Sequence, residues 1–305
     1  MMSRIQTWLE SFFSCSVLQA NSPKFKELFP KNAKLEKVAT GFQFTEGPVW
    51  IEQEKCLLFS DIPANKIYKL SHKNQVSLFK EPSYNSNGLT RDIQGRLLAC
   101  EHGKRRVTRI ETDGSVTILA SVFQDKKLNS PNDIVVKSNG YIYFTDPPYG
   151  IKPEQQEQPT QGVYRLSPDG EEIVLLVSDF NKPNGLAFST DETKLYIDDS
   201  QECHIRFFDV LKDGTLDNGR IFYDMKTDKA GLPDGMKIDT QGNIFCTGGG
   251  GVWVFSPEGE HLGTIATPEP PANCAWGDSD QRSLYITART SIYKIRVNIS
   301  GNSVF

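Results

Sequence analysis

The sequence predicts an all-β protein, a six-bladed β-propeller with a central metal-binding channel and a ring closed by an N-terminal strand. Two observations predict this fold. A short apolar strand opens with one polar residue six times, at intervals of roughly 40 to 50 residues, and Asp-Gly or Asn-Gly turns separate the alternating segments between these points. A repeat of this period is typical of propellers, and such turns are hairpin signals.

The six predicted units follow one another without a break. Unit 2 shows the pattern best, because the strands 96–100 and 106–110 lie between the turns 92–95 and 112–114. Each unit of three to four antiparallel strands would form one blade. The unit bounds are about 41–84, 85–128, 129–180, 181–230, 231–269 and 270–297.

The last unit lacks an obvious fourth strand, and residues 34–40 read as a strand without a partner. We expect this segment to pair with the region around 291–297, since closure removes two open sheet edges. The predicted organisation is therefore an N-terminal extension, residues 1–32, followed by the propeller, residues 33–300.

Composition narrows the function classes. The net charge is −4 with both signs interspersed and without a Lys/Arg run, which argues against nucleic acid. No apolar run approaches the length of about 18 residues that spans a membrane. We expect a small-molecule enzyme without nucleic-acid or membrane partners, monomeric or weakly homo-oligomeric.

The six cysteines have no metal-type spacing, so reduced thiols and a cytoplasmic location are expected. A periplasmic or secreted protein is the alternative if the apolar stretch 5–18 is an export signal.

The polar residue that opens each unit is the main functional clue. In a closed ring, equivalent residues point at one axis, where two carboxylates and four amides would offer hard oxygen ligands to a divalent cation. Each residue alone could be an ordinary turn former, but six equivalent positions favour a site. These residues are Glu46, Asn87, Asn132, Asn184, Asp234 and Asn273.

Several longer motifs occur in order between about residues 40 and 297. Among them are Glu46-Gly-Pro-Val-Trp50, Asn129-Ser-Pro-Asn-Asp133, Phe144-Thr-Asp-Pro-Pro-Tyr-Gly150, Lys182-Pro-Asn-Gly-Leu186 and Leu232-Pro-Asp-Gly-Met236. Together they resemble the gluconolactonase/senescence-marker-protein (regucalcin) family, and most of all its bacterial gluconolactonase branch. The resemblance implies a six-bladed propeller that holds one divalent cation, Ca²⁺ first and Zn²⁺, Mg²⁺ or Mn²⁺ as alternatives, and that hydrolyses lactones.

The resemblance also implies roles for individual residues. The metal ligands fall on Glu46, Asn132, Asn184 and Asp234, and the catalytic acid/base falls on Asp234. The metal would polarise the lactone carbonyl and activate a water molecule, which opens the lactone. Nucleophilic attack by Asp234 itself is the alternative. Some animal members have an Arg where this chain has Ser130, so the sugar specificity does not transfer.

Five further residues are substrate-binding candidates because they lie on the axis or near the channel mouth: Asn87, His102, Arg105, Asp146 and Asn273. For Asp146, which precedes two prolines, simple turn chemistry is the alternative reading. Asp198 and Asp199 end the equivalent strand of unit 4. The long segment 147–161 is either a lid or a solvated insertion.

The sequence therefore predicts a metal-dependent hydrolase that opens a small, gluconolactone-like sugar lactone. Two alternatives stay open at this point. One is a phosphotriesterase-like hydrolase, since the same cation can polarise a P=O bond. The other is a non-catalytic propeller that binds a partner and keeps the ion for structure.

Overall fold

The computed structural model describes residues 17–302, in which almost all regular structure is β-strand. Six antiparallel sheets of four or five strands form the body, and a two-stranded ribbon joins Val122–Phe123 to Lys126–Lys127. The first strands of the six sheets contact one another in chain order, and the last contacts the first. This arrangement confirms the predicted six-bladed propeller.

We number strands β1 to β27 in chain order, with the ribbon as β11 and β12. The first three blades each take their strands in sequence from the axis outward. Blade 1 contains Thr45–Ile51 (β3), Cys56–Asp61 (β4), Lys66–Ser71 (β5) and Val76–Lys80 (β6); blade 2 contains Ser86–Arg91 (β7), Leu97–Glu101 (β8), Arg106–Ile110 (β9) and Val116–Ala120 (β10); blade 3 contains Ile134–Val136 (β13), Ile142–Asp146 (β14), Gln161–Leu166 (β15) and Ile173–Phe180 (β16).

The last three blades follow the same plan, with additions from the N-terminal segment. Blade 4 contains Pro183–Phe188 (β17), Lys194–Asp199 (β18), His204–Val210 (β19) and Leu216–Asp224 (β20); blade 5 contains Met236–Ile238 (β21), Ile244–Gly248 (β22), Gly251–Phe255 (β23), His261–Ala266 (β24) and Leu18–Ala20 (β1); blade 6 contains Asn273–Gly277 (β25), Ser283–Ala288 (β26), Ser291–Arg296 (β27) and Glu36–Thr40 (β2).

The ring closes through β2, as predicted. This strand pairs antiparallel with β27, with Glu36 opposite Lys294 and Thr40 opposite Ser291. Blade 6 thereby gains its outer strand from the opposite end of the chain, and the facing edges of β2 and β27 pair with each other.

Burial falls from the axis to the rim of each blade. Every residue of β17 is buried, whereas four of the five residues of β6 are exposed. The continuous apolar runs of the inner strands fit this position between neighbouring sheets. The inner strands are therefore the rigid elements that carry the axial side chains.

The segment before β2 packs on blade 5. Strand β1 pairs with β24, and a short helix, Pro23–Glu27 (α1), follows it. Phe25, Leu28 and Phe29 are buried in the cluster formed by blades 5 and 6. The predicted boundary at residue 32 stays a prediction, since residues 1–16 lie outside the described part, but residues 17–29 form part of the packed body.

The described residues contain short helices and free cysteines. No helix within residues 17–302 is long and apolar enough to cross a membrane. The five cysteines of this range, Cys56, Cys100, Cys203, Cys246 and Cys274, are free thiols. Residues 5–16 of the stretch that could be an export signal, with Cys15, lie outside the described residues, and the cytoplasmic location stays a prediction.

Phe25→Ala should lower the free energy of unfolding by about 3–5 kcal/mol, because it removes a fully buried ring and leaves a cavity. Urea unfolding followed by fluorescence measures the change. Ile221→Ala is the matched control, since that side chain is 63% exposed and its loss should change stability by less than about 0.5 kcal/mol. Similar effects of the two substitutions would contradict the packing of the segment on blade 5.

Candidate metal-binding and catalytic site

The six predicted axial residues lie at or just before the start of the inner strands, and hydrogen bonds join several of them. Asn273 Nδ2 donates to Glu46 Oε2 at 3.1 Å, which links blade 6 to blade 1. Asn87 Nδ2 donates to Asn132 Oδ1 at 2.9 Å, which links blade 2 to blade 3. The Asn184 and Asp234 side chains also interact. The structure thus brings the side chains of this set together on one axis.

Glycine after the axial residue allows this close approach. Gly47 has φ +51°, in the left-handed region that disfavours other residues, and a Cβ there would overlap the carbonyl oxygen of Asn87. A Cβ on Gly185 would overlap the carbonyl oxygen of Asp234 in the next blade. The Asn-Gly and Asp-Gly pairs therefore serve the packing between blades as well as the turn.

Two more carboxylates, those of Asp133 and Asp198, lie beside the axial residues. Asp133 takes the place that glycine holds after four other axial residues, and its Oδ2 lies 3.4 Å from Asn273 Nδ2. Asp198 is fully buried, and the equivalent second-strand residues are the small Ser60, Cys100 and Thr145. The sequence places Asp198, like Asp199, at a strand end near the channel mouth, and its position on the axis comes from the fold. Comparing the six second strands with each other would have singled it out.

Several buried oxygens of this cluster have no hydrogen-bond partner: Glu46 Oε1, Asn87 Oδ1, Asn184 Oδ1 and Asp198 Oδ1. A buried acceptor without a donor is costly, so the cluster suits a cation that takes oxygen ligands. Within residues 17–302, no three His, Cys, Asp or Glu side chains are placed to hold a metal ion. A cation on the axis would thus need the amide oxygens of Asn132 and Asn184 beside Glu46 and Asp234.

The axial carboxylates are strongly perturbed. Burial, reinforced by the neighbouring Asp133 carboxylate, raises the pKa of Glu46 to about 7. Burial and then the charges of Glu46, Asp198 and Asp133 raise the pKa of Asp234 well above its usual range. The Lys237 ammonium opposes this effect at Glu46 and Asp133. Without a cation, the site therefore favours partly protonated carboxyl groups.

The channel continues beyond the axial residues as a cavity of about 160 Å³, lined by inner-strand residues of all six blades. Val49, Leu89, Ile134 and Phe188 make its wall largely apolar, while Lys237 contributes a cation. The axial carboxylates and amides thus lie at the end of the channel at which the inner strands begin, next to a largely apolar cavity.

His102 lies beside the axial cluster as a neutral ring. Its side chain is buried, and burial lowers its pKa to about 4. Its Nε2 lies 3.4 Å from Asn87 Nδ2, which can donate to the unprotonated nitrogen. Asn87 in turn keeps Oδ1 without a partner.

Arg105 is held by the backbone rather than directed at the axis. Its Nε donates to the carbonyl oxygens of Leu128 at 2.7 Å and Asn129 at 3.1 Å. Its Nη1 pairs with Glu157 at 3.2 Å. These contacts favour a supporting role over the predicted contact with substrate.

Asp146 also supports the scaffold. Its carboxylate accepts the backbone N–H groups of Asn129 at 2.7 Å and Ser130 at 2.8 Å, which precede axial Asn132. Asp61 in blade 1 and Asp199 in blade 4 accept the same pair of backbone N–H groups ahead of Glu46 and Asn184. Burial raises the Asp146 pKa to about 7, although these N–H groups oppose the shift. This repeated contact favours scaffolding over the predicted substrate binding.

Tyr149 is a residue of the site that the sequence reasoning did not single out. It belongs to the long segment 147–161, and its hydroxyl interacts with the Ser200 and Asn184 side chains. The loop's unusual length was the available signal, but the length does not tell which residue reaches the axis.

Comparisons with known proteins identify the family of this chain. Residues 44–290 match the model of the SMP-30/Gluconolactonase/LRE-like region. The chain is 33% identical over 307 residues to a gluconolactonase of Zymomonas mobilis, with coverage of 92% of this chain and 86% of the relative. It is 32% identical over 258 residues to regucalcin of Xenopus laevis, with coverage of 82% and 85%.

A solved gluconolactonase structure from Xanthomonas campestris matches with a TM-score of 0.85 at 34% identity, over 92% of this chain and 94% of the other. The family match spans blades 1 to 4, strands β21 to β24 of blade 5 and strands β25 and β26 of blade 6. The chain therefore belongs to the SMP-30/gluconolactonase family, as its motifs predicted.

Proposed function

We propose that this protein is a lactonase, a metal-dependent hydrolase that opens a small sugar lactone of the gluconolactone type. The observation that carries the proposal is the buried oxygen cluster, in which Glu46 Oε1 and Asn184 Oδ1 have no partner. Two of the similar proteins described above, at 33% and 34% identity, are named gluconolactonases.

One divalent cation would be held by Glu46, Asn132, Asn184 and Asp234. Two carboxylates and two amide oxygens form a hard ligand set that suits Ca²⁺ best, with Mg²⁺, Mn²⁺ or Zn²⁺ as alternatives. Asn132 Oδ1 accepts one hydrogen bond from Asn87 and keeps a second lone pair. When bound, the cation supplies Lewis-acid polarisation of the lactone carbonyl and acidifies water.

Asp234 would act as the base. Water adds its oxygen to the lactone carbonyl carbon while Asp234 takes one of its protons. The tetrahedral intermediate then collapses, the bond between the acyl carbon and the ring oxygen breaks, and the ring oxygen takes the proton from Asp234. The net reaction adds one water and gives a hydroxy acid. A carboxylate on a cation is a weak base, so its contribution depends on position.

The remaining axial side chains would position the substrate. Asn87 offers the unpartnered Oδ1 to a sugar hydroxyl. Asn273 Oδ1 accepts the N–H of Cys274 at 2.8 Å, so this side chain contributes mainly by orienting Glu46 through its Nδ2. Neutral His102 lies behind Asn87 and holds its orientation.

The assay that tests the proposal strips the protein with chelator, restores Ca²⁺, and follows acid release from glucono-δ-lactone. Activity that depends on the cation supports a lactonase. Turnover of a phosphotriester without turnover of lactone would favour the phosphotriesterase reading. A bound ion with neither activity would favour a structural ion in a binding module.

The thermal stabilisation by Ca²⁺ should grow as pH rises from about 6 to about 8. The raised pKa of Glu46, about 7, means that the metal-free protein loses stability as pH rises through that value and the carboxylates become charged. A bound cation pairs with the charged carboxylates and restores the stability that the metal-free protein loses. Melting temperatures with Ca²⁺ and with chelator at each pH measure this effect.

Glu46→Gln is the control for this pH dependence, because it removes a carboxylate that titrates near neutrality. The variant should show a smaller and flatter Ca²⁺ effect. A wild-type stabilisation that stays constant between about pH 6 and 8 would contradict the protonated, cation-linked site.

Asp234→Asn should lower kcat by about 10²–10⁴-fold even at saturating Ca²⁺, because it keeps one coordinating oxygen and removes the base. Asn184→Ala removes only a neutral ligand, so its lower activity should be partly restored by excess Ca²⁺. Calorimetry establishes that each variant is loaded before rates are compared. A loaded Asp234→Asn protein with a near wild-type rate would reject the base assignment and direct attention to His102.

A further inference from the structure

The largely apolar cavity of the channel takes no part in the proposed hydrolysis. It continues from the axial residues along the inner strands and has a volume of about 160 Å³. Val49, Leu89, Ile134 and Phe188 supply most of its apolar wall. An apolar cavity of this size accepts a ligand of one six-membered ring, and it is too small for a drug-sized molecule.

Lys237 is the residue that departs from the repeat in this cavity. It is the third residue after axial Asp234, and its neighbours in β21, Met236 and Ile238, are buried while Lys237 is half-buried. The residues at the same place after the other five axial residues also line the cavity, and none of them is charged: Val49, Thr90, Val135, Ala187 and Trp276. Lys237 therefore brings a charge to a layer that the other blades keep neutral.

The Lys237 ammonium keeps donor capacity for a ligand. Its Nζ donates to the backbone carbonyl oxygen of Met236 at 2.9 Å, and within residues 17–302 it forms no salt bridge with a carboxylate. An ammonium group has three N–H donors, so two remain for other acceptors. Glu46 and Asp133 on the axis attract its charge from a distance, and a cation bound there would weaken that attraction.

The charged side chains of the wall all have the same sign. Arg91, the last residue of β7, is the second cation, and none of the described residues that line the cavity is an Asp or a Glu. Arg91 also donates from Nη1 to Gln53 Oε1 at 3.4 Å, and Glu52 balances part of its charge. Burying an anion without a partner is costly, and these cations offset that cost for a ligand that carries a carboxylate.

We propose that this cavity is a second binding site, for a small carboxylic acid whose apolar body is about one ring in size. The carboxylate pairs with Lys237, and the apolar body packs against Val49, Ile134 and Phe188. A polar sugar acid does not fit, because its hydroxyl groups would lose their hydrogen bonds to water against the apolar wall. The site lies at the other end of the channel from Glu46, and the inference does not depend on the lactonase function.

Calorimetric titration with benzoate tests the proposal, with Ca²⁺ present so that the axial carboxylates are occupied. Benzamide is the matched probe, since it has the same ring and shape without the charge. The wild-type protein should bind benzoate about tenfold or more tightly than benzamide, because a charged hydrogen bond is worth that much. Lys237→Met keeps the length of the side chain and should remove this preference by weakening benzoate binding alone. Lys226→Met is the control, since that exposed lysine pairs with Asp224, and it should resemble wild type.

Val135→Phe fills the cavity without changing its charges, and it keeps the proposal testable if Lys237→Met does not fold. It should abolish the binding of both probes, and the melting temperature shows that each variant is folded. Benzoate binding that survives these variants and requires Ca²⁺ would place the probe on the axial cation and overturn the inference. Equal affinity of the wild type for benzoate and benzamide, or no binding of benzoate, would overturn it as well.

Discussion

The burial of four carboxylates on one axis is the constraint on which the rest of this structure depends. Burial raises the pKa of Glu46, Asp133, Asp198 and Asp234, and the charges of neighbouring members raise it further in Glu46, Asp198 and Asp234. In the unfolded chain these groups would be solvated and apart, so the folded ring has to hold them against desolvation and repulsion. Lys237 offsets part of this cost from the apolar side of the channel, and a divalent cation would offset more.

Two consecutive residues near the end of a blade's second strand hold the axial residues in place through hydrogen bonds. Thr145 Oγ1 donates to the carbonyl oxygen of Asn184 in the next blade at 2.8 Å, and Ser60 does the same to Asn87. The next residue, Asp146 or Asp61, accepts the backbone N–H groups just ahead of the axial residue in its own blade. Asn184 is thereby held by Asp199 of its own blade and by Thr145 of the neighbouring blade, as a precise ligand set requires.

The proposed chemistry follows from what the repeat places on the axis. The inner strands bring carboxylate and amide oxygens together there, and several of these oxygens have no hydrogen-bond partner. Such oxygens suit a divalent cation. Repetition of one unit thus builds the ligand set.

The sequence alone was sufficient to predict the family, the six blades, the closing strand and the six axial positions, because these features depend on local periodicity and turn chemistry. A residue such as Asn184 repeats at a fixed interval, and its place in the unit indicates its place in the ring. Only the tertiary structure decided which neighbours join that set. Asp133 and Asp198 reach the axis, Asp146 faces the backbone, and Phe25 packs on blade 5, because their side chains meet groups far away in the chain. The loop 147–161 depends on such contacts most of all, since its position is set by hydrogen bonds to Ser130 and Phe123 and not by the repeat.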